Sequence, residues 1–154
     1  MFSQTAEYAM RAMSCLALRP DDLVPTPALA EVTKVPANYL AKVLQLLASA
    51  DLIKGRRGVG GGYRLHRPAN QINLLDVINA VEPLSRIKTC PLGLTTHGPS
   101  LCPLHRRLDE AAAAVINIFE GVTLHDLINE PGAKKPLCED IPATKVTVSA
   151  GPQD

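Results

Sequence analysis

Apolar side chains recur every three or four residues in three stretches of the first fifty residues, and this spacing predicts amphipathic helices. The predicted helices cover residues 3–18, 28–33 and 36–49. Ser3 is a plausible N-cap, and Thr26-Pro27 opens the second helix with proline at its first position. Because a tight turn at Lys34-Val35 joins the second and third helices, the pattern indicates a helix-turn-helix.

The stretch that follows, 52–67, predicts a β-hairpin with a glycine-rich tip. Five cations and no acid lie around the predicted turn: Lys54, Arg56, Arg57, Arg64 and Arg67. A polyanion is the expected partner. A nucleotide-phosphate loop is the rival interpretation, but the run lacks the Gly-Lys-Ser/Thr ending and the strand-then-helix context. A merely solvated hairpin is the other alternative.

A helix, a helix-turn-helix and a basic hairpin in this order predict a winged helix-turn-helix, a mainly α fold with a small β-hairpin wing. The second helix of the pair would enter the major groove, and the wing would lie along the DNA backbone with an arginine near the minor groove. The residues expected to contact DNA are Thr26, Pro27, Ala37, Asn38, Tyr39, Lys42, Gln45, Arg56, Arg57, Gly60, Gly61 and Arg64. A small helical bundle with solvated polar faces is the alternative.

The second half predicts a short helix over 74–81, a loop over 84–103 and a long helix from residue 104. The long helix carries a heptad seam, which predicts a dimerisation helix; a single buried helix is the alternative. The seam residues are Leu104, Leu108, Ala111, Val115 and Ile118. A last helix is expected over 124–129.

These patterns divide the chain into four expected parts: a DNA-binding domain (1–83), a sensor loop (84–103), a dimerisation region (104–130) and a mobile tail (131–154). The loop and the residues just after it hold possible metal ligands, namely Cys90, His97, Cys102 and His105.

The net charge of +1 conceals an uneven distribution of charge. Residues 1–75 hold nine basic and five acidic residues, a net of +4, whereas residues 76–154 hold seven and ten, a net of −3. No stretch is apolar for long enough to span a membrane, and no signal peptide is evident at the N-terminus. We therefore expect a cytoplasmic protein, whose four cysteines serve as thiols or metal ligands rather than structural disulfides.

Several short motifs resemble the signature of the Rrf-type (IscR/NsrR-like) transcriptional regulators. These motifs are Glu7-Tyr8-Ala9-Met10-Arg11, Leu29-Ala30-Glu31, Asn38-Tyr39-Leu40, Leu52-Ile53, Arg57-Gly58, Gly60-Gly61-Gly62-Tyr63 and Leu65, with Ile72 and Leu74. The resemblance covers roughly residues 1–130. It implies a homodimeric winged-helix regulator whose long helices cross at the dimer interface.

Many members of that family hold an iron–sulfur cluster with three loop cysteines and a further histidine or acid. In this chain Cys90 and Cys102 match the first and third cysteines, while the middle position falls at Thr96 beside His97. His105 matches the histidine of the IscR type, and Glu7 matches the acid of the NsrR type. The resemblance thus implies a [2Fe-2S] cluster, since thiolate and imidazole together hold such centres. Zinc, and no metal at all, are the alternatives.

The expected function is a dimer that binds a double-stranded DNA operator and regulates transcription by RNA polymerase, with the cluster's state as the signal. The second hypothesis is a cluster-free regulator of the same type, switched by disulfide formation between Cys90 and Cys102 or by a small molecule. An enzyme with a cysteine nucleophile and His97 or His105 as base is disfavoured, because no substrate pocket is evident. A cluster-free interaction module is the last alternative.

Overall fold

The computed structural model describes residues 2–97 and 99–136, so most of the expected mobile tail, including Cys138, lies outside the described residues. The helices in this part of the chain are α1 (Gln4–Ala17), α2 (Thr26–Thr33), α3 (Ala37–Ser49), α4 (Leu74–Val81), α5 (Pro103–Glu120) and α6 (Leu124–Ile128). The strands are β1 (Ile53–Arg56) and β2 (Gly62–Leu65). No described helix is both long enough and apolar enough to cross a lipid bilayer.

Helix α1 lies at the centre of the fold and contacts α2, α3, α4, α6 and β2. Ser3 caps it as predicted, since its hydroxyl accepts a hydrogen bond from the Ala6 amide at 3.1 Å. Small residues such as Ala9 and Ala12 are fully buried, which lets neighbouring helices approach closely. Cys15, also fully buried, belongs to this core.

Helices α2 and α3 form the predicted helix-turn-helix. Lys34, at φ +57°, takes the left-handed conformation that turns the chain between them. Leu40, Val43, Leu44 and Leu47 are buried and form an apolar stripe along α3, as the spacing of apolar residues every three or four positions predicts. One detail differs: Thr26, not Pro27, is the first residue of α2, because Pro25 occupies the capping position.

The hairpin formed by β1 and β2 confirms the predicted wing, with Ile53 opposite Leu65 and Arg56 opposite Gly62. Its base is attached to the segment before α2, because Val24 and Tyr63 exchange two backbone hydrogen bonds of 2.9 Å. A Cβ atom on Gly62 would lie 2.5 Å from the Val24 carbonyl, so this close approach requires glycine. The wing is thereby fixed to the helix-turn-helix.

The starts of α4 and α6 are paired with each other. The Leu74 amide donates to the Val122 carbonyl at 2.9 Å, and the Leu124 amide donates to the Ile72 carbonyl at 2.8 Å. Both helices begin with a complete capping box, Asn73 with Asp76 and Thr123 with Asp126. This pairing joins the C-terminal end of α5 to the helix-turn-helix domain, and Leu124 is fully buried in the same core.

Helix α5 presents an apolar seam that the described chain leaves uncovered. It begins at Pro103, one residue before the predicted start, and none of its residues is buried. Leu104, Leu108 and Ile118 are 64%, 50% and 64% exposed. The alternative of a single buried helix is therefore wrong.

Candidate nucleic-acid interface and sensor site

Helix α3 carries five of the twelve residues predicted to contact DNA. Ala37, Asn38, Lys42 and Gln45 are all exposed. Asn38, Lys42 and Gln45 lie on the side opposite the buried stripe, and Ala37 is the first residue of the helix. Lys42 supplies the only positive charge of this helix. Polar but nearly uncharged, this face is suited to contacts with base edges more than to binding of phosphates.

Tyr39 is engaged within the chain as well as placed on that face. Its hydroxyl lies 2.6 Å from the Thr5 hydroxyl, and its ring packs edge-to-face on Tyr8 with 5.5 Å between centroids. The ring is 36% exposed. Sequence reasoning assigned Tyr39 to DNA alone and missed this link between α3 and α1.

Arg11 makes a second link that sequence reasoning missed. Its Nη1 donates to the Thr33 carbonyl at 3.1 Å, at the end of α2. Its Nε donates to Glu7 Oε1 at 2.9 Å, and its guanidinium lies 5.5 Å from the centre of the Tyr8 ring. Glu7, a predicted ligand, is therefore occupied by an ion pair. The sequence does carry a signal for the Glu7–Arg11 ion pair, because an acid and a base four residues apart on one helix face each other.

The wing presents exposed cations on both strands and at the tip. Lys54, Arg56, Arg57 and Arg64 are exposed. Gly61 has a backbone role, because a Cβ atom there would lie 2.3 Å from the Arg56 carbonyl oxygen. Gly60, at φ +70°, is exposed at the tip.

A shallow groove of about 450 Å³ brings the start of α2 and the wing together. Thr26, Pro27, Arg56, Arg57 and Gly61 all line it. Five residues predicted from the sequence to contact DNA therefore meet at one surface. Two guanidinium groups at its edge favour an anionic ligand such as a backbone phosphate.

Arg67 does not lie beside the tip of the wing, where it was predicted. Its Nη1 donates to the Gln71 carbonyl at 3.4 Å, and its Nη2 lies 4.0 Å from Asp76 Oδ2 at the start of α4. It therefore contacts the body of the domain, and its placement among the cations around the tip is wrong.

Cys102 and His105 are the two predicted ligands that the structure brings together. Cys102 occupies the N-cap of α5, and its Sγ lies 3.2 Å from His105 Nδ1. Both side chains are half-buried, as is Cys90 in the loop. The side chain of His97 is outside the described part of the structure.

The donor atoms present do not form a complete cluster site within one chain. Among the described residues, no three or more His, Cys, Asp or Glu side chains lie close enough together to hold a metal ion. Cys102 and His105 supply two suitable donors, but Glu7 is paired with Arg11. The predicted five-residue ligand set is therefore not assembled by the described residues.

A bidentate ion pair attaches the loop 84–103 to α5. Arg86 Nε and Nη2 each donate to an Asp109 carboxylate oxygen at 2.6 Å, and the Ile87 amide donates to Asp109 Oδ1 at 2.9 Å. The hydrogen bonds from Arg86 hold the pKa of Asp109 below its ordinary value. Sequence reasoning missed this pair, since its members lie 23 residues apart and no local pattern connects them.

Residues 2–130 match a family model described as Rrf2, iron-dependent transcriptional regulator. The chain belongs to the Rrf2 family. The resemblance noted in the sequence is thus confirmed. An Rrf2 regulator is a DNA-binding transcription factor and not an enzyme, which excludes the cysteine-nucleophile alternative.

Relatives of this Rrf2 regulator support the same assignment. A protein of Aquifex aeolicus (strain VF5), whose name describes an HTH-type transcriptional regulator, is 30% identical over 132 residues, which are 84% of this chain and 92% of the relative. The structure is similar to that of CymR (YrzC), the global cysteine regulator of B. subtilis, with a TM-score of 0.69, 25% identity, and coverage of 82% of this chain and 95% of that one. It also resembles T. potens IscR, with a TM-score of 0.68, 23% identity, and coverage of 82% and 84%. These similarities confirm the winged-helix fold class.

Proposed function

We propose that this Rrf2 regulator binds a double-stranded DNA operator as a homodimer, with α3 in the major groove and the wing on the adjacent backbone and minor groove. The observation that carries the proposal is the groove at which Thr26, Arg56, Arg57 and Gly61 meet. Phosphates held there position the protein, while the exposed polar face of α3 meets base edges. An operator that overlaps a promoter would then change the access of RNA polymerase.

The uncovered seam of α5 supports a second copy of this chain as the partner. Leu104, Leu108 and Ile118 lie on one side of the helix, at spacings that suit pairing of two helices. Ala111 and Val115 complete the seam, and the small alanine allows close approach. A dimer places two recognition helices and two wings on one duplex.

The direct test of DNA binding uses duplexes selected from a random-sequence library by the purified protein. We expect fluorescence anisotropy to give an affinity that falls steeply with salt, because phosphate contacts release counterions. Absence of any selected sequence, together with binding that is equally weak on every duplex, would contradict the proposal.

For the signal, we infer that the input is sensed where the loop 84–103 meets α5, at Cys102 and His105. Two features support this site: the short Cys102–His105 distance and the Arg86–Asp109 pair that joins the same loop to α5. A [2Fe-2S] cluster is the ligand that the family resemblance implies, and thiol oxidation involving Cys90 is the alternative. In either case a change in the loop would shift α5 and thereby the spacing of the two recognition helices.

Iron and sulfide analysis of protein purified without oxygen separates the two signals. Iron and sulfide near two per subunit, lost in a Cys102→Ala variant, would support the cluster. Iron-free protein whose DNA affinity changes on oxidation, but not when Cys90 is replaced by alanine, would support the thiol switch. DNA affinity that is identical in all these states would contradict a sensor role for the loop.

A further inference from the structure

Val59 is the most exposed of the large apolar side chains that the structure describes, at 101% of its reference area. It lies at the tip of the wing, and the predicted DNA contacts do not include it. Isolated exposed apolar residues are common on protein surfaces, so exposure alone implies nothing. Its position in the hairpin is what distinguishes it.

The turn at the tip displays Val59 as a single projecting side chain. The Gly61 amide donates to the Gly58 carbonyl at 3.0 Å, and Gly60 has φ +70°, as the third residue of a type II turn requires. A Cβ atom on Gly58 would meet nothing within 4 Å, and one on Gly60 only the Arg56 guanidinium at 3.8 Å. Glycine backbone therefore flanks Val59 on both sides, which makes the tip thin.

The geometry of the turn does not require valine at position 59. Gly, Pro, Asn, Asp and Ser are the residues that stabilise such turns, and a β-branched apolar side chain there gains nothing from the folded chain. Arg56 and Arg57, directly before the tip, are exposed and suited to phosphates. Val59 is the only residue of the turn 58–61 that carries a side chain, so it is the side chain that would meet a minor groove over which the tip rests.

The dimensions of B-DNA agree with this placement. The minor groove is about 6 Å wide, which admits a glycine backbone with one small branched side chain but not a tip with several side chains. Apolar side chains are known to enter this groove and pack on base steps and sugars.

We propose that Val59 enters the minor groove of the operator and packs its methyl groups against deoxyribose and base edges. The inference rests on the proposed function and adds a specificity-determining residue to it. Guanine carries a 2-amino donor on the minor-groove edge, which the Val59 methyl groups would deprive of water. The wing therefore selects A·T over G·C pairs where its tip rests, by apolar contact rather than by charge.

The test measures the affinity of the full-length protein for a selected duplex whose wing-contacted pairs are A·T, G·C or inosine·C. Inosine·C lacks the 2-amino group yet presents nearly the same major groove as G·C. We expect A·T and inosine·C duplexes to bind alike and the G·C duplex about five- to tenfold more weakly. Val59→Thr, which has the same shape but one hydroxyl in place of a methyl group, should reduce that difference to less than about twofold. Val59→Ile should retain it.

Two controls separate the role of Val59 from the proposed binding of the operator. The salt dependence of binding should be the same for Val59→Thr and wild type, because no charge changes. Thermal melting should also be unchanged, since Val59 is fully exposed in the folded chain. Wild-type protein that binds no duplex would overturn the proposed function, and with it this one. The role of Val59 alone would be overturned if the wild-type protein binds DNA but prefers A·T over G·C no more than Val59→Thr does. It would also be overturned if the wild-type protein binds inosine·C as weakly as G·C.

Discussion

At the scale of single residues, Arg57 should act as a phosphate contact. It is exposed on the wing and lines the groove beside Thr26. We expect Arg57→Ala to weaken binding to all duplexes by a similar factor and to lower the slope of log affinity against log salt by about one for each wing. Lys134→Ala removes the same charge far along the chain and serves as the control. Equal slopes for Arg57→Ala and wild type would count against this contact.

Gly61 should matter through the backbone and not through DNA chemistry. In Gly61→Ala the new Cβ atom would lie 2.3 Å from the Arg56 carbonyl oxygen, so the tip of the wing must move. We expect the free energy of unfolding to fall by roughly 1–3 kcal/mol and DNA affinity to fall with it. Chemical denaturation followed by circular dichroism, with anisotropy on the same samples, measures both. An alanine variant with unchanged stability and affinity would refute this view of the tip.

Sequence patterns predict the exposed residues of α3 and the wing well, because local periodicity decides which side chains face the core. They do not predict the partners that a polar side chain finds within the fold. Tyr39, which is predicted to contact DNA, also contacts Thr5, 34 residues away, through its hydroxyl. Arg67 was assigned to the tip but contacts Gln71 and Asp76 instead. The spacing of apolar residues carries no signal for either contact.

At the scale of elements, the attachment of the loop 84–103 to α5 depends on Asp109. Asp109→Ala removes the acceptor of both Arg86 and the Ile87 amide, so hydrogen exchange at 84–90 should become faster. Glu110→Ala is the matched control, because it removes only an exposed ion pair with Arg107. Equal exchange rates in the two variants would show that the ion pair does not hold the loop.

The same ion pair sets a pH dependence. Hydrogen bonds from Arg86 lower the pKa of Asp109 in the folded state. The stabilisation of the folded state by the Asp109 carboxylate is therefore complete above the ordinary pKa of 3.8 and is lost as the pH falls through the lower folded value. We expect protection of the loop, corrected for intrinsic exchange, to be constant from neutral pH to about pH 4 and to fall only in more acidic solution. A fall that begins well above pH 4 would show that a group other than Asp109 controls the loop.

The boundaries of a helix were predictable where a capping residue marks its first turn. Helix α4 begins at Leu74 as expected, directly after the capping box of Asn73. The bridge between Asn73 and Thr123 was missed, although 72–78 (INLLDVI) and 122–128 (VTLHDLI) repeat one pattern. The ligand set was the least predictable feature, because its members come from separate elements whose distances the sequence does not encode.

At the scale of the whole molecule, the seam of α5 should determine both assembly and affinity. In a dimer, Leu108→Glu would place two like charges in an apolar contact, so sedimentation should show a monomer. DNA affinity should then fall by about a hundredfold or more, since binding of the second half-site is no longer intramolecular. Asn117→Glu adds the same charge to α5 outside the seam and should leave the dimer intact. A Leu108→Glu variant that is still dimeric would place the interface elsewhere.

Operator binding by a dimer is tested most directly by a hydroxyl-radical footprint of the wild-type protein on a duplex that it has selected. We expect two symmetric protected regions, with centres about 10–10.5 base pairs or a multiple of that apart, and minor-groove protection beside each. That pattern requires a dimer, two recognition helices and two wings at once. A single protected region, or uniform weak protection along the duplex, would contradict the proposal that this chain reads an operator as a winged-helix dimer.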